Sequence, residues 1–161
     1  MSSIDRLRET LDRRIVVLDG AMGTSVQALG LADEAAWRGE RFRDHAMPIK
    51  GCIDALVLTR PEAIEQIHVE FLRAGADIVE TNTFTATSIA LADFGLEAAV
   101  RDINLAAAQL ARRAADRTER DDGRPRWVAG SIGPTTKTAS LSPDVNDPGA
   151  RAVTFRQLVD I

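Results

Sequence analysis

Two periods of apolar residues alternate along this chain. Ile4, Leu7 and Leu11 recur at helical spacing, which predicts a helix over 3–13 that leads directly into a β-branched strand at 15–18. Residues 23–52 carry short helical pieces around Trp37-Arg38-Gly39-Glu40-Arg41-Phe42 and Pro48. That stretch exceeds a simple loop and predicts an elaborated connection. Thr59-Arg60-Pro61-Glu62 has the form of a capping box, and the stripe Ile64, Ile67, Phe71 and Leu72 closes at Gly75, so a helix is expected over 61–74. A strand over 76–84 and a short helix over 86–94, stopped by Gly95, follow. Val100, Ile103, Ala107, Leu110 and Ala114 then repeat at intervals of three and four, predicting a long amphipathic helix to Arg117. Asp121-Asp122-Gly123-Arg124-Pro125 reads as a turn into a third strand over 126–132. Residues 136–148 read as loop. A helix with Val153, Leu158 and Ile161 facing inward is expected from Ala150, still running where the sequence stops.

Three consecutive strand–helix units predict a parallel sheet with right-handed crossovers. An open three-stranded sheet would leave apolar edges unpaired, and a complete (β/α)₈ barrel needs about 250 residues. The expected fold is therefore α/β: the leading part of a (β/α)₈ TIM barrel, with three βα units present and later strands absent, forming one partial domain over 1–161.

Bulk properties narrow the function classes. The chain has 161 residues, 45% hydrophobic and 27% charged, enough for one ordinary core. A formal net charge of −4, with arginines scattered along helices, offers no basic field for nucleic acid or anionic lipid. Cys52 is the only cysteine, so no disulfide framework exists and a cytoplasmic setting is expected. The stretch Met1 to Arg14 is charged and amphipathic, without the apolar core of a secretory signal. No apolar run approaches the ~18 residues of a membrane span.

The chemistry is concentrated where the three strands end. Ligands of α/β proteins sit beyond the carboxyl ends of strands, and each strand here ends in small polar residues and glycine. After the first strand comes Asp19-Gly20-Ala21-Met22-Gly23-Thr24. An α-amino acid presents an ammonium beside a carboxylate; Asp19 can take the former, and the amides of Gly20, Ala21, Met22, Gly23 and Thr24 can take the latter if a helix starts there. The competing reading makes Asp19 a helix cap and the glycines a tight turn. After the second strand, Asn82 should share a face with Glu80 while Thr83 points the other way, either contacting ligand or forming a buried hydrogen-bond network. Gly130, Ser131 and Gly133 admit close backbone approach to a ligand or tight strand–helix packing. His45 and His68 lack ligand-spaced partners and read as structural. Trp37, Trp127 and Cys52 read as packing residues. Asp144, Asn146 and Asp147 lack the glycine and distal glutamate of a calcium loop and read as a turn.

Val17-Leu18-Asp19-Gly20-Ala21-Met22-Gly23-Thr24, Arg38-Gly39-Glu40-Arg41-Phe42, Gly75-Ala76-Asp77-Ile78-Val79-Glu80-Thr81-Asn82-Thr83-Phe84, Val128-Ala129-Gly130-Ser131-Ile132-Gly133-Pro134-Thr135 and Ser142-Pro143-Asp144-Val145-Asn146-Asp147-Pro148 stand together and in this order. In them the chain resembles the homocysteine-binding domain of cobalamin-dependent methionine synthase, over essentially its whole length. The resemblance implies a (β/α)₈ barrel that binds homocysteine and presents its sulfur through zinc to a methyl-carrying cobalamin, with cobalamin and folate modules as partners. It also implies zinc ligands on later strands than any here, since Cys52 matches no ligand position and one cysteine with two distant histidines does not make a zinc site. Substrate binding is thus expected of Asp19, Gly20, Ala21, Met22, Gly23, Thr24, Glu80, Asn82, Thr83 and Gly133, with no catalytic or metal-binding residue among them. Two alternatives stay open: a pterin-binding barrel, because Ala-Gly-Ala-Asp-Ile-Val-Glu occurs in such sheets, and a non-catalytic module for a small anion or partner helix.

Overall fold

The computed structural model describes residues 2–161, so Met1 of the domain expected over 1–161 lies outside it. Helix α1 spans Ser3–Leu11, and Ser2 and Asp5 form a capping box at its start. Short helices α2 (Met22–Ala28) and α3 (Glu34–Arg38) occupy the predicted elaborated connection. A single 3₁₀ turn, Ile53–Ala55, runs into α4 (Leu56–Thr59) and then α5 (Pro61–Ala74). Strand β1 (Ile78–Glu80) follows, then α6 (Ser88–Leu91), two further 3₁₀ turns, α7 (Val100–Asp122), β2 (Trp127–Ala129) and α8 (Phe155–Val159). None of these helices is long and apolar enough to cross a membrane.

Strands β1 and β2 pair in parallel, with Val79 opposite Val128. The expected first strand is reduced to a single parallel bridge between Leu18 and Ile78 on the other side of β1. Its pairing is interrupted chemically: the Val17 amide donates to the Asp77 carboxylate at 3.0 Å rather than to a strand carbonyl. Ile15, Val17 and Leu18 stay exposed, Ile15 by 85%. The order of these segments is nevertheless that of the sequence, each parallel to the next.

Several expected boundaries shift for local reasons. The capping box at Thr59-Arg60-Pro61-Glu62 does not form, because Thr59 is spent as the last residue of α4 and α5 starts from Arg60 without a side-chain cap. Proline at the first helical position needs no partner for an absent N–H. The strands predicted over 76–84 and 126–132 shorten to three residues each, and the helix predicted over 86–94 breaks into α6 and a 3₁₀ turn. The long helix overruns Arg117 and stops only at Gly123, whose φ of 72° ends it in the left-handed region. From Ala150 the expected helix contracts to α8; Val153 is buried, but Ile161 is 45% exposed.

The core has two parts. One gathers Trp37, Ile49, Leu56 and Ile64 from the connection and α5 against Ile103, Ala107 and Leu110 of α7. The other seats Val79 of β1 against Val69 and Leu72 of α5 and Ala111, Ala114 and Ala115 of α7. Alanines on that face let α7 approach both α5 and the sheet closely. At the amino ends of the strands, Asp77 is fully buried and is gripped by Arg14 in two hydrogen bonds of 2.7 and 2.8 Å, with Arg124 at 3.2 Å. That cluster anchors the sheet at the end away from the predicted site.

Candidate functional site

The carboxyl ends of the three parallel segments open into a cavity of about 460 Å³. Asp19 to Gly23 form one wall, Glu80, Thr81 and Asn82 with Phe84 and Thr85 a second, and Ser131 a third. Gly51, Ile53 and Asp54 of the elaborated connection complete the lining.

Asp19 does not cap a helix. Its Oδ1 accepts the Glu80 amide at 2.9 Å, which bolts the first segment to the end of β1. Burial pushes its carboxyl up to about 6, although the Glu80 amide works against the shift. A buried carboxylate with no cation beside it favours its proton until a positive group arrives. No lysine, arginine or histidine lines the cavity, whereas Asp19, Asp54 and Glu80 do. The lining is acidic and carries no counter-cation of its own.

Ala21 is the only non-glycine residue with positive φ among those described, at 47°. Such a conformation costs an alanine about 1–2 kcal/mol. It turns the chain sharply into α2, whose first-turn amides receive no side-chain cap. Those donors belong to Met22 and Gly23, which line the cavity; Thr24 is exposed and lies outside the lining.

The predicted alternation after β1 is present in part. Glu80 and Asn82 both line the cavity and Thr83 does not, but Thr81 lines it as well, because the strand ends at Glu80 and the period of two ends with it. Asn82 donates from Nδ2 to the Ile53 carbonyl at 2.9 Å. Thr83 is buried, shares a 2.7 Å hydrogen bond with the Thr81 hydroxyl and donates to the Ser131 carbonyl at 2.8 Å. The Ser131 amide in turn donates to Thr81 Oγ1 at 3.0 Å. Gly133 also sits outside the lining, donating its amide to the Phe84 carbonyl at 3.0 Å. A Cβ at Gly133 would fall 2.4 Å from that oxygen, so the residue serves close packing of two loops. Gly130 has open space around it.

Asp54, absent from the expected site residues, also lines the cavity. It is 3% exposed and accepts both the amide and the hydroxyl of Thr85, fixing the 3₁₀ turn to the segment after β1. A single acid inside the apolar run Cys52-Ile53-Asp54-Ala55-Leu56 was the available signal, since a carboxylate enters a core only when its oxygens find donors.

The remaining candidates lie elsewhere. His45 bonds the Phe94 carbonyl at 2.8 Å. His68 is fully buried, with neither ring nitrogen partnered, and burial depresses it to about 4. The Cys52 thiol is pushed up to about 12 by burial, so it carries no appreciable thiolate near neutrality. Asp144 and Asp147 accept the amides of Asn146 and Gly149 in Asx turns. Among the described residues no group of three His, Cys, Asp or Glu side chains is arranged to hold a metal ion.

A family model described as homocysteine S-methyltransferase matches residues 16–161. Among solved structures, the chain is similar to the metallated form of the homocysteine methyltransferase MmuM from Escherichia coli, at 30% identity over 80% of this chain and 41% of that one, with a TM-score of 0.60. The oxidized form of the same enzyme gives 31% identity over 80% and 40% of the two chains and a TM-score of 0.61. This chain therefore spans about two fifths of the length of those relatives.

Proposed function

The chain belongs to the homocysteine S-methyltransferase family, and from that premise we propose that its cavity holds the amino-acid end of homocysteine while the sulfur receives a methyl group to give methionine. The observation that carries this reading is the unpaired acidic lining, in which Asp19 waits near pH 6 for a positive partner. The substrate ammonium lies against Asp19 and Glu80, and its carboxylate takes the uncapped amides of Met22 and Gly23 at the wall formed with Gly20 and Ala21, Thr24 standing outside it. Asn82 and Thr83 hold the wall of the cavity in place, Asn82 through Ile53 and Thr83 through Ser131, and Gly133 keeps the Phe84 loop closed on it.

The finer reading is that of a cobalamin-dependent methionine synthase built on a (β/α)₈ barrel, with 5-methyltetrahydrofolate as methyl source and cobalamin and folate modules as partners in the cytoplasm. Sequential parallel segments with their polar residues at the carboxyl ends support that architecture. Zinc would supply thiolate activation, but the residues described here do not fit it. The cavity offers carboxylates and no thiol or imidazole, and Cys52 is buried away from the lining. The part assigned to this chain is therefore to bind and orient the substrate.

Magnitudes set the expectation. A helix terminus contributes about 0.3–1 kcal/mol and a charge-assisted hydrogen bond about 1.5–3, against an association cost of at least about 4 kcal/mol. Affinity of this chain alone should be millimolar or weaker. A module for small anions is disfavoured by the acidic lining, and a pterin site by a family match that runs through the chain from residue 16. The test is an amide-resolved NMR titration with L-homocysteine and with 4-mercaptobutanoate, which keeps the thiol, the carboxylate and the chain length between them but lacks the ammonium. Homocysteine should move the Gly20–Gly23 and Glu80 amides at concentrations where the analogue does not. Equal responses would remove the ammonium site and the proposal with it.

A further inference from the structure

Phe84 and Thr85 are the two central residues of a turn that the Ala86 amide closes on the Thr83 carbonyl at 3.1 Å. Three ties from outside fix this turn. Thr83 is anchored to Thr81 and Ser131, the Gly133 amide donates to the Phe84 carbonyl, and Asp54 accepts both the amide and the hydroxyl of Thr85. A carboxylate that takes the N–H and the O–H of one residue fixes its side-chain rotamer together with its backbone.

Burying a carboxylate costs free energy unless its oxygens find donors, and Asp54 is 3% exposed with no lysine, arginine or histidine in the lining beside it. What it holds is not core. Phe84, the residue the turn presents, lines the cavity and is 56% exposed. Its ring lies against Gly133, where a Cβ would come within 2.8 Å of a ring carbon. The 3₁₀ turn that carries Asp54 also supplies Ile53, whose carbonyl accepts from Asn82 and whose Cδ1 would lie 3.8 Å from a Cβ on Gly23 at the start of α2. Met22, Ile53 and Phe84 are therefore the large apolar members of a lining whose carboxylates and free amides suit the other end of an amino acid.

Resting on the reading of this cavity as a homocysteine site, we propose that Asp54 is a positioning residue for side-chain selectivity. Through Thr85 it sets Phe84 against the methylenes and thiol of the substrate, so that the cavity prefers homocysteine to amino acids with shorter side chains. Asp54 acts by the hydrogen bonds it accepts and not by its charge. Methylene and thiol surface removed from water by such a wall is worth roughly three- to tenfold in affinity.

The test compares L-homocysteine with L-alanine, which has the same ammonium and carboxylate but no side chain long enough to reach a wall set for homocysteine. Dissociation constants for both ligands come from amide-resolved NMR titrations of the parent and of Asp54→Ala, Asp54→Asn and Thr85→Val. Asp54→Ala should lose more affinity for homocysteine than for alanine, lowering the preference roughly three- to tenfold. Thr85→Val, which keeps the backbone donor and the shape but removes the hydroxyl, should shift the preference in the same direction, and it decides the matter alone if Asp54→Ala does not fold. Asp54→Asn retains an acceptor for the Thr85 amide and a partner for its hydroxyl, so it should keep the parent's preference. A preference unchanged in both Asp54→Ala and Thr85→Val, or lost as fully in Asp54→Asn as in Asp54→Ala, would overturn the proposal. A parent that binds homocysteine no better than alanine would overturn it too while leaving the homocysteine site standing, whereas a parent that does not distinguish homocysteine from 4-mercaptobutanoate would remove both.

Discussion

Replacing Asp19 by asparagine separates substrate binding from folding more cleanly than any other change. With its carboxyl near 6, Asp19 is about nine-tenths ionised at pH 7 and about one-tenth at pH 5, so an interaction that needs the anion should weaken about tenfold between those values. Asp19→Asn removes the charge at every pH. The loss of one charge-assisted hydrogen bond, about 1.5–3 kcal/mol, corresponds to a drop in homocysteine affinity of roughly 10- to 150-fold at pH 7. The effect on stability has the opposite sign. A carboxyl raised from 3.8 to about 6 on folding is favoured in the folded state while protonated, and its ionisation destabilises progressively as pH rises through that window. The variant escapes this cost and keeps a side-chain oxygen for the Glu80 amide, so at pH 7 it should be at least as stable as the parent. Homocysteine titrations followed by NMR at pH 5, 6 and 7, paired with urea denaturation of both proteins, measure the two effects. An affinity that is flat across this range, or an Asp19→Asn variant that binds like the parent, would refute the assignment of the ammonium to Asp19.

Other changes test the scaffold. Asp77→Asn should cost about 1.5–3 kcal/mol, because it removes charge-assisted hydrogen bonds from Arg14 and Arg124, which are themselves partly exposed, while buried Arg126 keeps Asp122; in the parent, where Arg14 holds Asp77 down to about 2, the stability this carboxylate contributes should disappear as pH falls from about 4 to 2, read by urea denaturation. His68, depressed from 6.5 to about 4, binds its proton more readily when unfolded, so stability should fall by up to about 3 kcal/mol as pH drops through that interval. His68→Leu should flatten the dependence at little cost, since neither ring nitrogen has a partner to lose; an unaltered pH profile in that variant would exclude His68 as its source. Gly133→Ala should destabilise by about 1–3 kcal/mol through overpacking against the Phe84 carbonyl, seen as a lower Tm, and a Tm equal to the parent's would show that the two loops separate freely.

The sequence carried the order of elements because each leaves a one-dimensional trace. The stripe Ile64, Ile67, Leu72 and the Ala107, Ala114 face of α7 are periodic, and Gly75 and Gly123 mark helix ends by their positive φ. Asp19, Glu80 and Asn82, which line the cavity, were legible as its candidate residues because they lie at or just beyond the carboxyl ends of the parallel segments. Asp54 was not. Its position opposite Thr85, 31 residues away, is set by how the long connection folds back, and no local period encodes that. The weak first strand escaped for a similar reason: Ile15, Val16 and Val17 have every local mark of a strand, but the Val17 amide is claimed by a carboxylate 60 residues further on. Thr59 shows competition between neighbours, since two helices abut there and a cap for one would have to come out of the other.

The arginine-gripped carboxylate at Asp77 joins segments that leave the ribosome far apart in time. Arg14 lies 63 positions before it and Arg124 lies 47 positions after it. At about 5–20 residues per second, the amino-terminal partner must wait roughly 5–20 seconds before the last one emerges. Until Asp77 and β1 emerge, a little over half of that interval, the β-branched run at Ile15–Val17 has neither its anchor nor a neighbouring strand, so nascent chains should need shielding from one another until translation has passed Glu80.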